Sequence, residues 1–169
     1  MSEFLLRQAN TDDAPQIALV HDTSRRRAYA EILTDKHLNA MTLDERSKFW
    51  RERVLLSPGE DRKIFVAIDG ATICGFIAVE ARRARNWGEI DRIYVMPDVA
   101  QKGLGRMLMT NAVDHLRDFG FEKVVLWVFE ANLPAQTFYK RMGFKPDGAE
   151  RKWPTFPKEL RFAMPIEPW

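Results

Sequence analysis

The sequence holds a single cysteine, Cys74, so no internal disulfide and no cysteine-based metal site can form within the chain. No group near Cys74 in sequence activates its thiol, so it is expected as a buried strand residue. Histidine is scarce too: His21, His37 and His115 make no ligand cluster, and no metal is expected. There is no long block of one sign, and the net charge is only +2, which points away from nucleic acid and from a membrane surface. No apolar run approaches membrane-spanning length, and the chain does not open on a basic-then-apolar leader. A cytoplasmic protein is therefore expected.

What remains is ordinary globular material. Apolar residues make up 46% and charged residues 30% of 169, enough for one domain, 1–169, with a full hydrophobic core. Phe4 to Ala9 reads as a strand. Thr11-Asp12-Asp13-Ala14-Pro15 reads as a helix start, with Thr11 as the capping hydroxyl, and Ile17, Val20, Ser24 and Ala28 line one face. Arg25-Arg26-Arg27 is expected as a solvated face. A second helix opens on the capping box Thr42/Glu45, carries Leu43, Trp50 and Val54 on one stripe, and ends at Ser57-Pro58-Gly59. Lys63 to Ile68 and Thr72 to Glu80 form a hairpin about Asp69-Gly70. Trp87 to Met96 is the next strand.

The chain is organised around the stretch from Ile93 to Met109. It reads as a strand stopped by Pro97, a turn with Gly103 and Gly105, and a helix whose stripe is Leu104, Leu108, Ala112 and Leu116. A glycine-lined helix N-terminus offers uncovered N–H donors and the positive end of the helix dipole, a site for phosphate. A Walker loop needs a longer gap between its glycines and Lys-Ser/Thr after them, and a dinucleotide fingerprint needs a glycine where Leu108 stands. Both are excluded. Beyond this helix, Lys123 to Phe129 is a strand parallel to its predecessor, and Leu133 to Met142 is a helix closed by Gly143. Phe144 to Arg151 and Glu159 to Ile166 form a last antiparallel pair. The order β-α-α-β-β-β-α-β-α-β-β gives an α/β protein with a mixed sheet and helices on its faces.

Two stretches resemble the GCN5-related N-acetyltransferase (GNAT) family. One is the strand and Gly103-Leu104-Gly105 turn, where the family carries Gln/Arg-x-x-Gly-x-Gly/Ala; here the first position is Ala100. The other is Asn132-Leu133-Pro134-Ala135-Gln136-Thr137-Phe138-Tyr139-Lys140-Arg141-Met142-Gly143-Phe144, against the family's Asn-x-x-Ala-x-x-Phe-Tyr-x-x-x-Gly-Phe. Cys74-Gly75-Phe76 sits where the family often has a hydrophobic-Gly-Phe, and the element order is the family's own. The resemblance implies the acyl-CoA N-acyltransferase fold, acetyl-CoA (coenzyme A) as cofactor, and transfer of acetyl to a primary amine within a ternary complex. A small-molecule amine, polyamine-like or another amino compound, is preferred. Protein N-terminal or lysine acetylation and a non-catalytic acyl-CoA-binding module are the alternatives, and a homodimer is a possible assembly by analogy.

The reaction sets three demands. At neutral pH only about one lysine-like amine in 10³ is free base, so a base is needed. The carbonyl oxygen needs donors as it gains charge, and the departing thiolate benefits from an acid. Glu89 is named as base, at the spacing before Gly103 of the catalytic glutamate in the family's histone-modifying members. Asp91 is the reserve, and a water relay is the other possibility. Strand alternation is expected to put Glu89, Asp91, Ile93 and Val95 on one side. The resemblance places Tyr139 beside the coenzyme sulfur as acid. It implies coenzyme contacts from Ile93, Tyr94, Val95 (through its N–H), Gln101, Lys102, Gly103, Leu104, Gly105, Arg106, Asn132, Ala135, Phe138 and Lys140. Tyr29, Trp87 and Phe129 are the candidate substrate walls, with His21 and Trp50 as further aromatics of the same kind.

Overall fold

The computed structural model describes residues 3–57, 59, 61–167 and 169. The strands are β1 Leu5–Gln8, β2 Arg62–Asp69, β3 Thr72–Arg82, β4 Trp87–Val95, β5 Lys123–Phe129, β6 Lys145–Arg151 and β7 Glu159–Pro165. The helices are α1 Ala14–Ala28, α2 Asp35–Leu38, α3 Leu43–Leu55, α4 Leu104–Arg117 and α5 Leu133–Arg141. The short α2, capped by Thr34 on the His37 N–H, has no counterpart in the expected order. Pro58, expected at the end of α3, lies outside the described residues.

The strands form one sheet in the order β1-β2-β3-β4-β5-β7-β6. All neighbours are antiparallel except β4 and β5, which run parallel as the β-α-β connection requires. One face carries α1 and α3. There Ile17, Val20 and Trp50 pack on Val66, Phe76 and Ala78. The other face carries α4 and α5, with Leu104, Leu108, Ala112 and Leu116 buried against Ile77, Val79, Ile90, Val124 and Leu126. The four-residue spacing of the α4 stripe is what turns one side of that helix into the sheet.

Local signals were read with one misplacement. Asn10, not Thr11, caps the first helical turn: its Oδ1 accepts the Asp12 N–H at 3.0 Å, and Asp13 Oδ2 accepts the Asn10 N–H at 2.8 Å. Asp13 is also gripped by both guanidinium nitrogens of Arg7, at 2.6 and 2.9 Å, which holds its carboxyl below the usual range. Asn10 is the better cap because Asp13 stands three residues on and returns the bond.

Two irregularities shape the site. The first is a bulge. Arg92 pairs with Ala78 and Ile90 with Val79, so Asp91 has no partner on β3. The second is a split. β4 and β5 pair only from Gly88–Val124 to Ile90–Leu126. Beyond that point each strand keeps its other neighbour, β3 or β7, and the two diverge.

Candidate active site

A cavity lies on each face of the sheet at this split. On the α4/α5 face a cleft of about 560 Å³ is lined by Ile93 and Val95, by the loop residues Ala100, Gln101, Gly103, Gly105 and Arg106, and by α5. Gly103 is the residue before α4, in the left-handed region at φ +81°, and no side chain caps the helix. Its first-turn N–H groups are therefore uncovered. Gln101 is also left-handed, at φ +73°, a strained conformation for a residue with a Cβ. Gly105 closes the approach: a Cβ there would stand 3.3 Å from the Phe138 ring.

Backbone direction at the split follows from the ladder. The Met96 N–H donates to Cys74 O on the β3 side at 2.8 Å. N–H groups alternate sides along a strand, so the Val95 N–H faces the gap that β5 has left. The Val95 carbonyl accepts the Ser24 hydroxyl of α1 at 2.9 Å. Tyr139 lines the same cleft from α5, and burial, then the neighbouring Tyr94, pushes its phenol well above the ordinary value.

On the α1/α3 face a cavity of about 470 Å³ has Arg92 and Tyr94 in its floor, with Glu89 and Asp91 beside them. The Tyr29 and Tyr94 hydroxyls meet at 3.3 Å, and the Tyr29 ring stands edge-on to Phe129 with centroids 5.1 Å apart. Helix α2 and the loop between β6 and β7 meet over this face through His37 and Phe156, ring centroids 4.3 Å apart. Glu89 accepts a bond from Arg82 Nε at 3.1 Å, and Asp91 one from Arg53 at 2.7 Å. His21 is buried. Its Nδ1 accepts the Trp50 indole N–H at 3.0 Å, so a neutral ring carries its proton on Nε2. Burial, then the guanidiniums of Arg92, Arg46 and Arg25, push this imidazole down to about 2.

Residues 20–144 match the Acetyltransferase (GNAT) family. The chain belongs to that family. It is 31% identical over 139 residues to the uncharacterized N-acetyltransferase YuaI of Bacillus subtilis, across 80% of this chain and 76% of that one. It is 40% identical over 86 residues to streptothricin acetyltransferase of Streptomyces lavendulae, across 50% of this chain and 45% of that one. In fold it is similar to the PaiA N-acetyltransferase of Thermoplasma acidophilum, solved in complex with coenzyme A. That likeness has a TM-score of 0.84 over 97% of this chain and 99% of the other, at 19% identity. The GNAT chain is an N-acetyltransferase of the mixed-sheet acyl-CoA N-acyltransferase fold, and the family's acyl donor is acetyl-CoA.

Within this GNAT fold the expected coenzyme residues Ile93, Val95, Gln101, Gly103, Gly105, Arg106, Ala135, Phe138 and Tyr139 do come together around one cleft. Others do not line it. Leu104 is buried in the core at 1% exposure, and only its backbone faces the turn. Asn132 is buried and caps α5, its Oδ1 accepting the Ala135 N–H at 3.3 Å. Lys102 and Lys140 are exposed outside the lining, where Arg106 and Arg141 supply the cations instead. Helical geometry explains the exchange: Arg141, three residues after Phe138, shares its face, and Lys140, two residues after it, does not. That periodicity was available in the sequence.

The expected common side for Glu89, Asp91, Ile93 and Val95 is overturned by the bulge. Ile93 and Val95 face the α4/α5 cleft, whereas Glu89 lines the other cavity with Arg92 and Tyr94. Tyr94 thus offers its side chain to the cavity on the α1/α3 face. Of the substrate walls, Tyr29 and Phe129 reach that cavity and Trp87 does not. Trp87 starts β4 at the far end from the split, under Lys123, Arg161 and Arg85 at 4.7, 4.9 and 5.5 Å. Trp50 is fully buried core. Arg25, expected as solvated, lines the cavity, together with Arg46, Trp127, Arg151 and Glu159. Arg46 had a signal: a charge at the position between Leu43 and Trp50 on the apolar stripe of α3.

Proposed function

We propose that this single domain transfers acetyl from acetyl-CoA to a small primary amine by direct attack, with the coenzyme in the α4/α5 cleft and the amine in the opposite cavity. The observation that carries the reading is the split between β4 and β5, which turns the Val95 N–H into the gap at the junction of the two cavities. The cleft fits the coenzyme on its own features. An uncapped helix N-terminus with Arg106 and Arg141 suits a diphosphate, and the apolar Ile93, Phe138 and Met142 suit its arm.

Acetyl-CoA supplies, when bound, a thioester carbonyl for attack and a thiolate that leaves. Glu89 takes the proton from the incoming ammonium, and its bond to Arg82 fixes its direction. The Val95 N–H donates to the acyl oxygen as charge gathers there. Tyr139 holds the proton on its hydroxyl that the departing sulfur requires; burial keeps this phenol protonated at working pH. Asp91, bonded to Arg53 at 2.7 Å, is the reserve carboxylate.

The test is thiol release from acetyl-CoA with a panel of amines, with mass spectrometry of the product. Amine-dependent release is expected. Coenzyme binding with no release for any amine would favour the binding-module reading.

A further inference from the structure

The acceptor-side cavity carries more positive charge than its own acids can satisfy. Five arginines line it, Arg25, Arg46, Arg82, Arg92 and Arg151, against three carboxylates, Glu89, Asp91 and Glu159. Each carboxylate is already engaged. Arg82 holds Glu89 at 3.1 Å, Arg53 holds Asp91 at 2.7 Å, and Arg151 grips Glu159 at 2.6 and 3.3 Å. Arg25, Arg46 and Arg92 are left over. Arg25 spends donors on the His37 and Leu38 carbonyls, at 2.9 and 3.4 Å. Arg92 lies over the Phe49 and Trp50 rings and meets Asp91 only at 3.9 Å.

Arg46 is the most telling. It is 4% exposed, and its buried Nε has no hydrogen-bond partner among the described residues. Its nearest acid, Asp22, stands 3.6 Å away and is already paired with Arg26 at 2.9 Å. Its other contact is the His21 Nδ1 at 3.5 Å, a lone pair that the Trp50 N–H uses at 3.0 Å. Leaving a buried guanidinium donor unmet is costly, so such a group marks a place where an anion completes the network. The direction of the neighbouring shifts agrees. Burial and the surrounding arginines disfavour further positive charge on both His21 and Arg46.

We infer that the acceptor amine also bears an acidic oxygen group, a carboxylate or a phosphate, held by Arg46 with Arg92 and Arg25, while its amine reaches toward Glu89. A planar guanidinium fork matches either group. The aromatic walls Tyr29, Phe49, Phe129 and Trp127 suit a compact molecule with an apolar middle, of amino-acid or dipeptide size, in about 470 Å³. A polycation is opposed by the same arginines. This inference deepens the acetyl-transfer reading and rests on it for the reaction, though not for the anion site.

The experiment pairs amines that differ only in the acid group: phenylalanine with phenethylamine, lysine with cadaverine, β-alanine with ethylamine, phosphoethanolamine with ethanolamine. Thiol release from acetyl-CoA is read for each. The acid-bearing partner is expected to have kcat/KM higher by about tenfold or more in at least one pair, as a charge-assisted bond to a buried arginine allows. The carboxylate and phosphate pairs tell which acid is taken. Arg46→Gln is expected to collapse that ratio toward one, and Arg46→Lys to restore part of it. In parallel, 3-phenylpropionate and phosphate are titrated calorimetrically into the coenzyme-loaded protein. If no amine releases thiol yet one acid binds and depends on Arg46, the transfer reading fails and the anion site stands. If the partners that lack the acid group, cadaverine included, turn over as well as the acids, or better, the anion site is overturned and the transfer reading stands. The comparison within the unmutated protein decides this even if Arg46 variants misfold.

Discussion

Glu89 and Ile93 face opposite sides of β4, although four residues apart on a regular strand they would share one. Asp91 takes the extra place opposite β3 and reverses the alternation between them. Glu89 is thereby delivered to the cavity that holds Tyr29 and Tyr94, while Ile93 stays with the cleft of α4 and α5. In the proposed reaction a base on one face and a coenzyme on the other need an opening between them, and the parting of β4 from β5 supplies it.

Glu89→Gln keeps the shape and a bond to Arg82 but removes the proton acceptor. The expected loss in kcat/KM at neutral pH is about 10²-fold or more. The loss shrinks as pH rises toward the amine's own pKa, because free base then arrives from solution. A pH–rate profile of the variant against the parent checks this; parallel profiles would remove Glu89 from the reaction.

Tyr139→Phe keeps the ring that packs near Phe144 and Phe162 and deletes the hydroxyl. Turnover is expected to fall by about 10²-fold, with the coenzyme Kd nearly unchanged. Since burial raises this phenol, it stays protonated on the alkaline side, and no loss of rate from its ionisation is expected up to pH ~9. Unaltered turnover in the variant would exclude Tyr139 as the acid.

Gly105→Val places a branched side chain against the Phe138 ring, where a Cβ alone already stands at 3.3 Å. The coenzyme Kd is expected to rise about tenfold or more, one step of ~1.4 kcal/mol, with the fold retained. Calorimetry with coenzyme A reads it directly, and unchanged affinity would show that the cradle is not at this turn.

His21 gives a stability prediction with a defined sign. In the folded protein its imidazole is pushed down to about 2 by burial and by Arg92, Arg46 and Arg25, while the unfolded chain protonates it near the ordinary histidine value of about 6.5. The stabilising contribution is complete above that value and is lost as pH falls below it, at up to ~1.4 kcal/mol per pH unit. His21→Asn, whose Oδ1 can still accept the Trp50 N–H, is expected to flatten the decline between pH 6.5 and 5 in urea titrations.

Trp87→Phe is expected to leave kcat/KM unchanged while lowering Tm, since the ring stands among Lys123, Arg161 and Arg85 away from both cavities. A fall in kcat/KM without a fall in Tm would return Trp87 to the site.

Most of the architecture is local and so was readable. The α4 stripe has one spacing, the β2–β3 turn falls at Gly70-Ala71, one residue beyond the expected Asp69-Gly70 because Asp69 still pairs with Thr72, and the parallel β4–β5 pair follows from a helix between two strands. The family motifs are local as well, which is why the glycine turn and the α5 tyrosine were found together. The bulge at Asp91 was not legible, because nothing in Glu89-Ile90-Asp91-Arg92 says which residue loses its partner on a strand ten or more positions away. Trp87 was misassigned for a related reason: aromatic character names a wall without saying which cavity it belongs to.

By itself the sequence determined the strands and the longer helices, their order and the glycine turn at Gly103 and Gly105, since propensity, periodicity and turn chemistry act between near neighbours; the short α2 was not among them. Tertiary structure alone decided the character of the cavity on the α1/α3 face. Arg25, Arg46, Arg92 and Arg151 come from α1, α3, β4 and β6, and only folding sums their charge in one low-dielectric space.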